Sequence, residues 1–108
     1  MSATLAQLRD ARDLIADASR WTQAVYARDA HGRKALPESR EATCWCALGA
    51  LLRPTSDWDA RLVWGHLMLR RAAKEIFDRT PDWVNDVLGH AAVLRMYDRA
   101  IELAEAQS

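Results

Sequence analysis

The chain has 108 residues, half of them apolar and 28% charged, which suits one folded domain with its own core and excludes a disordered segment. Fifteen basic residues face fifteen acidic ones, eight against six over residues 1–54 and seven against nine over the rest. That balance withholds the basic footprint that nucleic-acid binding by counterion release requires, and no apolar run nears the roughly 20 residues that span a bilayer.

Thirteen of the fifteen basic residues are arginine, a composition typical of a high-GC bacterial or phage coding sequence. The start, MSATLAQLRDARDL, is charged and amphipathic and not a secretory leader, so the cytoplasm is the expected compartment.

Four helical segments and no strand are predicted. Thr4 and Gln7 fit a capping box, and Leu5, Leu8, Ala11, Ile15 and Ala18 then recur at helical spacing opposite Arg9, Asp10, Asp13 and Asp17. This places helix one over about 4–19. Trp21, Val25 and Tyr26 could extend it by two turns before Asp29, Gly32 and Pro37 impose a loop. That loop carries Arg28, Asp29 and His31 and is the place for exposed function in this half.

Helix two is predicted over about 41–53, stopped by Pro54. Its residues from Ala42 to Leu52 are apolar on nearly every side, the pattern of a helix surrounded by protein. Gly49 costs about 1 kcal/mol there relative to alanine, so close approach by a neighbouring helix or aromatic ring is expected. Helix three starts at a Ser56–Asp59 capping pair and reaches about Asp78, lining one face with Trp58, Leu62, Gly65, Leu69, Ala72, Ala73 and Ile76. Val63, Trp64, Leu67 and Met68 make a second apolar side beside Arg70, Arg71 and Lys74. Thr80-Pro81 opens a further helix, with a break predicted around Asn85, Asp86 and Gly89. The last helix, about His90 to Ala106, presents Val93, Leu94, Tyr97, Ile101 and Ala104.

Together these give an all-α fold: one helical domain over 1–108, an orthogonal or irregular four-to-five-helix bundle around the apolar helix at about 41–53.

Cys44 and Cys46 do not make a metal signature. Zinc sites pair cysteines at wider spacing with a second pair elsewhere, and the histidines at 31, 66 and 90 are scattered. On a helix, residues two apart diverge by about 200°, so the sulfurs would neither share an ion nor bridge, and core filling is the expected role. Trp21, Trp45, Trp58 and Trp83 read as core or near-core, whereas Trp64 lies off the buried stripe. No cofactor is indicated.

Three functional readings follow. The first is a non-enzymatic interaction or self-associating protein using Val63, Trp64, Leu67, Met68 and Arg71, where apolar residues with flanking arginine suit an interface. The second is a small-molecule or anion binder, or an enzyme, using Arg28, Asp29, His31, Asn85 and Asp86. It requires these side chains to line one concave pocket. The third is nucleic-acid binding through Arg70, Arg71, Lys74 and Arg79, disfavoured by the interleaved Glu75 and Asp78. A membrane partner is not expected.

The order Trp21-Thr22-Gln23, Tyr26-Ala27-Arg28-Asp29 with Gly32, Cys44-Trp45-Cys46-Ala47-Leu48-Gly49-Ala50-Leu51 and Trp83-Val84-Asn85-Asp86 resembles a small bacterial and phage family, domain of unknown function 6197. The W-C-x-x-G-A core and the W-x-N-D segment are its most telling parts. After Asp86 the family pattern has a Gly- and Thr-containing turn, where this chain has Val87-Leu88-Gly89-His90. The resemblance implies an all-helical fold and assigns no catalytic residue.

Overall fold

A computed structural model of the protein describes residues 2–54 and 60–107. The elements in chain order are α1 (Ser2–Leu14), a 3₁₀ turn (Ala18–Arg20), β1 (Ala27–Asp29), β2 (Lys34–Ala35), β3 (Ala42–Trp45), α2 (Ala47–Leu52), α3 (Ala60–Phe77), α4 (Pro81–Trp83), a π-helical turn (Val84–Leu88) and α5 (His90–Ala106). The Ser56–Asp59 pair and Trp58 lie outside the described residues.

The chain is mostly helical but not all-α, because a three-stranded antiparallel sheet, ordered β2-β1-β3, occupies the region read as loop and helix. Ala27 pairs with Ala35 on one side and with Trp45 on the other, and a register shift between Arg28 and Asp29 ends the regular pairing. The expected helix at 41–53 is therefore half strand, half helix. Short apolar runs fit a buried strand as well as a buried helix, and here backbone pairing with β1 decides.

The strand gives way to α2 at Cys46, which is extended (φ −79°, ψ 177°) and whose sulfur accepts the N–H of Gly49 at 3.3 Å. It thus caps the helix as a serine would. All six residues of α2 are buried, so the enclosed apolar helix exists, shorter than expected.

Helix α1 starts at Ser2, leaving Thr4 buried inside it and not at a cap, and it ends at Leu14, short of 19. The carboxylate of Asp17 takes the backbone N–H and hydroxyl of Ser19 at 2.9 and 2.8 Å, favouring the tighter 3₁₀ turn. Beyond it the chain runs through bends at residues 23–26, with Ala24 at φ 72°, contrary to the two extra helical turns expected of Trp21, Val25 and Tyr26. Trp21 forms a parallel bridge to Trp45, and Thr22 N–H reaches the Trp45 carbonyl at 3.0 Å.

Helix α3 keeps its expected end, and Leu62, Gly65, Leu69, Ala72 and Ala73 are buried as expected. Thr80 caps α4, its hydroxyl accepting the Trp83 N–H at 3.3 Å, with Pro81 in the first turn. The break expected at 85–89 falls at Gly89 alone. Up to there the helix widens into a π turn closed by Gly89 N–H to the Val84 carbonyl at 3.2 Å, and Gly89 (φ 99°) redirects the chain into α5.

Helices α1, α3 and α5 pack on one another, and α2 seats against α1 and α3. Leu8, Ile15, Leu51, Leu62, Leu69, Val93, Met96 and Tyr97 are fully buried between them.

Candidate functional site

Asn85 joins the sheet to the helices. The π turn aims its buried side chain inward, where Oδ1 accepts the indole N–H of Trp21 at 2.8 Å and the backbone N–H of Ala47 at 2.9 Å. Its Nδ2 donates to the Thr22 carbonyl at 3.1 Å and to Asp86 Oδ1 at 2.9 Å. Two acceptor and two donor interactions use the whole capacity of a primary amide. Asp86 in turn accepts the Ala24 N–H at 2.9 Å, and Gln23 Nε2 donates to the Asn85 and Asp86 carbonyls at 3.1 and 3.2 Å.

The residues of the first loop are drawn in only partly. Arg28 Nε donates to Thr22 Oγ1 at 2.9 Å, and its two terminal nitrogens reach the Gln23 and Gly32 carbonyls, so it braces the segment that Asn85 and Asp86 hold. Asp29 does not pair with Arg28. Its carboxylate accepts the N–H groups of His31 and Arg33, both at 2.9 Å, and the Arg33 guanidinium at 3.2 Å. These bonds, that of the Arg33 N–H foremost, hold its pKa below the ordinary value. His31 is exposed at the hairpin turn.

A cavity of about 290 Å³ beside this junction is lined by Tyr26, Lys34, Cys46, Asp82, Asn85 and Asp86. Arg28, Asp29 and His31 are not among its lining residues. Cys46 borders it with its thiol pushed up to about 11 by burial, the wrong direction for a nucleophile. Both cysteines are free thiols, Cys44 half-buried and Cys46 buried. Among the described residues no group of three His, Cys, Asp or Glu side chains could hold a metal ion.

Gly49 answers to a different neighbour from the helix or ring expected. A Cβ there would stand 1.9 Å from the Tyr26 carbonyl oxygen, which also accepts the Cys46 N–H at 3.0 Å. Helix α2 therefore lies directly on the backbone that leads into β1.

On the outer side of α3, Val63 is 45% and Trp64 47% exposed, Leu67 is half-buried and Arg71 exposed. Met68 belongs to the core at 2% exposure and leaves the interface set, because its position turns it inward beside Leu69 and Ala72. Trp83 is more exposed than a core residue, 37%, with the Arg79 guanidinium 4.8 Å from its ring centre. Trp45 is buried, its N–H on the Pro37 carbonyl at 2.9 Å, and Trp21 half-buried.

Leu67, Pro81, Trp83 and Leu103 form the apolar part of a groove of about 930 Å³ between α3, α4 and α5. Arg70, Arg71, Lys74, Arg79 and Arg99 surround it together with Glu75 and Asp78. Glu75 receives Arg99 at 2.8 and 2.9 Å, and Asp78 pairs with Lys74, so both carboxylates are held below their ordinary pKa by those cations. Pro81, Trp83, Arg99 and Leu103 are absent from the sequence-derived sites. The i, i+4 spacing of Arg79 and Trp83 was the available signal. Only the turn after Phe77 brings these residues opposite Leu67.

Among the described residues no helix is long and apolar enough to cross a membrane. No curated protein and no solved structure matches the chain. A family model does match, over residues 1–103, and the chain belongs to that Family of unknown function (DUF6197).

Proposed function

We propose that this protein is a non-enzymatic, protein-interaction accessory of bacterial or phage origin, acting in the cytoplasm through the outer face of α3. The exposure of adjacent Val63 and Trp64 carries the reading, on a helix whose other side is wholly committed to the core. An indole left nearly half in water beside a second apolar residue and Arg71 has the composition of an interface centre. The saturation of Asn85 by internal bonds, and the three that Arg28 makes to its own segment, support the same reading, since they commit those polar groups to architecture. Free thiols suit a reducing compartment.

The test places a photo-crosslinking amino acid at Val63, with Asp13 on α1 as control, in cells and in purified protein. A discrete adduct at position 63, to a second copy or to a partner identified by mass spectrometry, is expected. Trp64→Glu should abolish it while leaving the unfolding free energy within about 0.5 kcal/mol, as for an exposed site. A chain that stays monomeric in light scattering and crosslinks no more at 63 than at 13 overturns the proposal.

A further inference from the structure

Resting on that reading, we infer that the groove between α3, α4 and α5 receives an acidic amphipathic helix of a partner protein. Two features meet there. Leu67 of α3 and Leu103 of α5 offer an apolar floor between two packed helices, the place where a third helix inserts its ridge. Around it five cations face two carboxylates: Glu75 and Asp78 bond Arg99 and Lys74, Arg71 and Arg79 act on the same two only at longer range, and Arg70, Arg71 and Arg79 have no direct ion pair among the described residues. Arg79 is instead fixed over the Trp83 ring and by its bond to the Asp78 carbonyl, which presents its guanidinium at the groove with little entropy left to lose.

Charge complementarity selects the occupant. Apolar anchors on one face would seat on the leucines while flanking Glu or Asp side chains reach the three arginines. Helix α5 of a second copy is poorly suited to supply them, because its exposed carboxylates, Asp98, Glu102 and Glu105, already face Arg12, Arg99 and Arg9 of their own chain. Nucleic acid fits less well. Three arginines without a direct ion pair imply a salt slope of only about −2 on a single strand, and the Trp83 ring is covered by Arg79 instead of open for base stacking.

The experiment uses the full chain and fluorescence anisotropy with three labelled probes: an amphipathic helical peptide with Leu anchors and a Glu-rich outer face, the same peptide with Lys for Glu, and a single-stranded oligonucleotide. The acidic peptide should bind, weaken with salt, and lose at least tenfold in affinity in the Arg70→Glu/Arg71→Glu variant. The lysine peptide should not bind. Tighter binding of the oligonucleotide than of the acidic peptide overturns the inference. So does a dimer in sedimentation that the same variant dissociates without any peptide binding. Failure of the acidic peptide alongside a Trp64-dependent crosslink at position 63 refutes this occupant and leaves the interaction reading standing. Loss of both removes both.

Discussion

The indole N–H of Trp21 is held at 2.8 Å by Asn85, 64 positions further along the chain, on the oxygen that also caps the first residue of α2. One amide thereby fixes the approach to the sheet, the start of the enclosed helix and the π turn in a single arrangement. The W-x-N-D segment is thus a structural clasp, and its consequences for stability can be measured.

Asn85→Ala should be among the most destabilising single changes. It leaves the Trp21 and Ala47 N–H groups and the Thr22 carbonyl without their partner, each lost bond costing about 1–3 kcal/mol when the group stays buried. A loss of about 3 kcal/mol or more is expected in denaturant unfolding. A change below about 1 kcal/mol would show that the clasp is not what joins sheet and helices.

The two glycines of the helices should behave oppositely. At Gly49 a methyl group would overlap the Tyr26 carbonyl, a backbone atom that cannot swing aside, so Gly49→Ala should cost about 3 kcal/mol or prevent folding. At Gly65 the nearest atoms are Gln7 Oε1 at 3.4 Å and Leu51 methyls at 3.5 and 3.6 Å, all side-chain ends. Gly65→Ala should be neutral or stabilise by up to about 1 kcal/mol through helix propensity. Thermal unfolding of the two variants side by side decides.

Stability should fall in alkali. The thiol of Cys46 titrates at an ordinary value of 9.0 in the unfolded chain and at about 11 when folded, because burial disfavours the thiolate. The raised folded value means this contribution is intact below pH 9 and is lost as pH climbs through that window, on the order of 2–3 kcal/mol in total. Tyr97, buried with its hydroxyl on the Ala47 carbonyl at 2.6 Å, is shifted the same way and adds a loss starting nearer pH 10. Cys46→Ser keeps a capping oxygen and should remove the earlier part of the alkaline slope. An unchanged slope in that variant would dissociate the thiol from it.

Ala24 occupies the left-handed region at φ 72°, where a Cβ costs roughly 1–2 kcal/mol, and it is held there by the Asp86 carboxylate on its N–H. Ala24→Gly should relieve that strain, partly offset by the greater freedom of glycine in the unfolded chain, for a net gain of up to about 1 kcal/mol. A rise of a few degrees in Tm checks it, and a loss of stability would contradict a strained alanine.

Local chemistry made several features legible without coordinates. The Thr80-Pro81 start needs only a hydroxyl and a missing N–H, and the buried stripes of α3 and α5 need only a 3.6-residue period. The enclosure of the segment from Trp45 to Leu52 was legible, because apolar residues on nearly every side leave little for water to solvate, whereas Thr43 just before it is exposed and Cys44 half-buried. What periodicity could not supply was whether that segment would satisfy its backbone groups internally or across to another strand. Ala42–Trp45 found its partner in β1, thirteen to eighteen residues earlier, and hydrogen bonds at that range leave no mark on a helical wheel.

The candidate sites divide in the same way. Residue type alone marked Arg28, Asn85 and Asp86 as polar groups that must find partners, and Val63 and Trp64 as apolar groups off the main stripe. Which partners they found was decided by tertiary structure: the turn at Gly89 and the π turn before it swing Asn85 under the sheet, and the turn after Phe77 carries Arg79 and Trp83 across from Leu67. Side-chain chemistry is local and so written in the sequence. Directionality and distance between segments arise only when the backbone has closed, and those two quantities separate a clasp from a binding pocket.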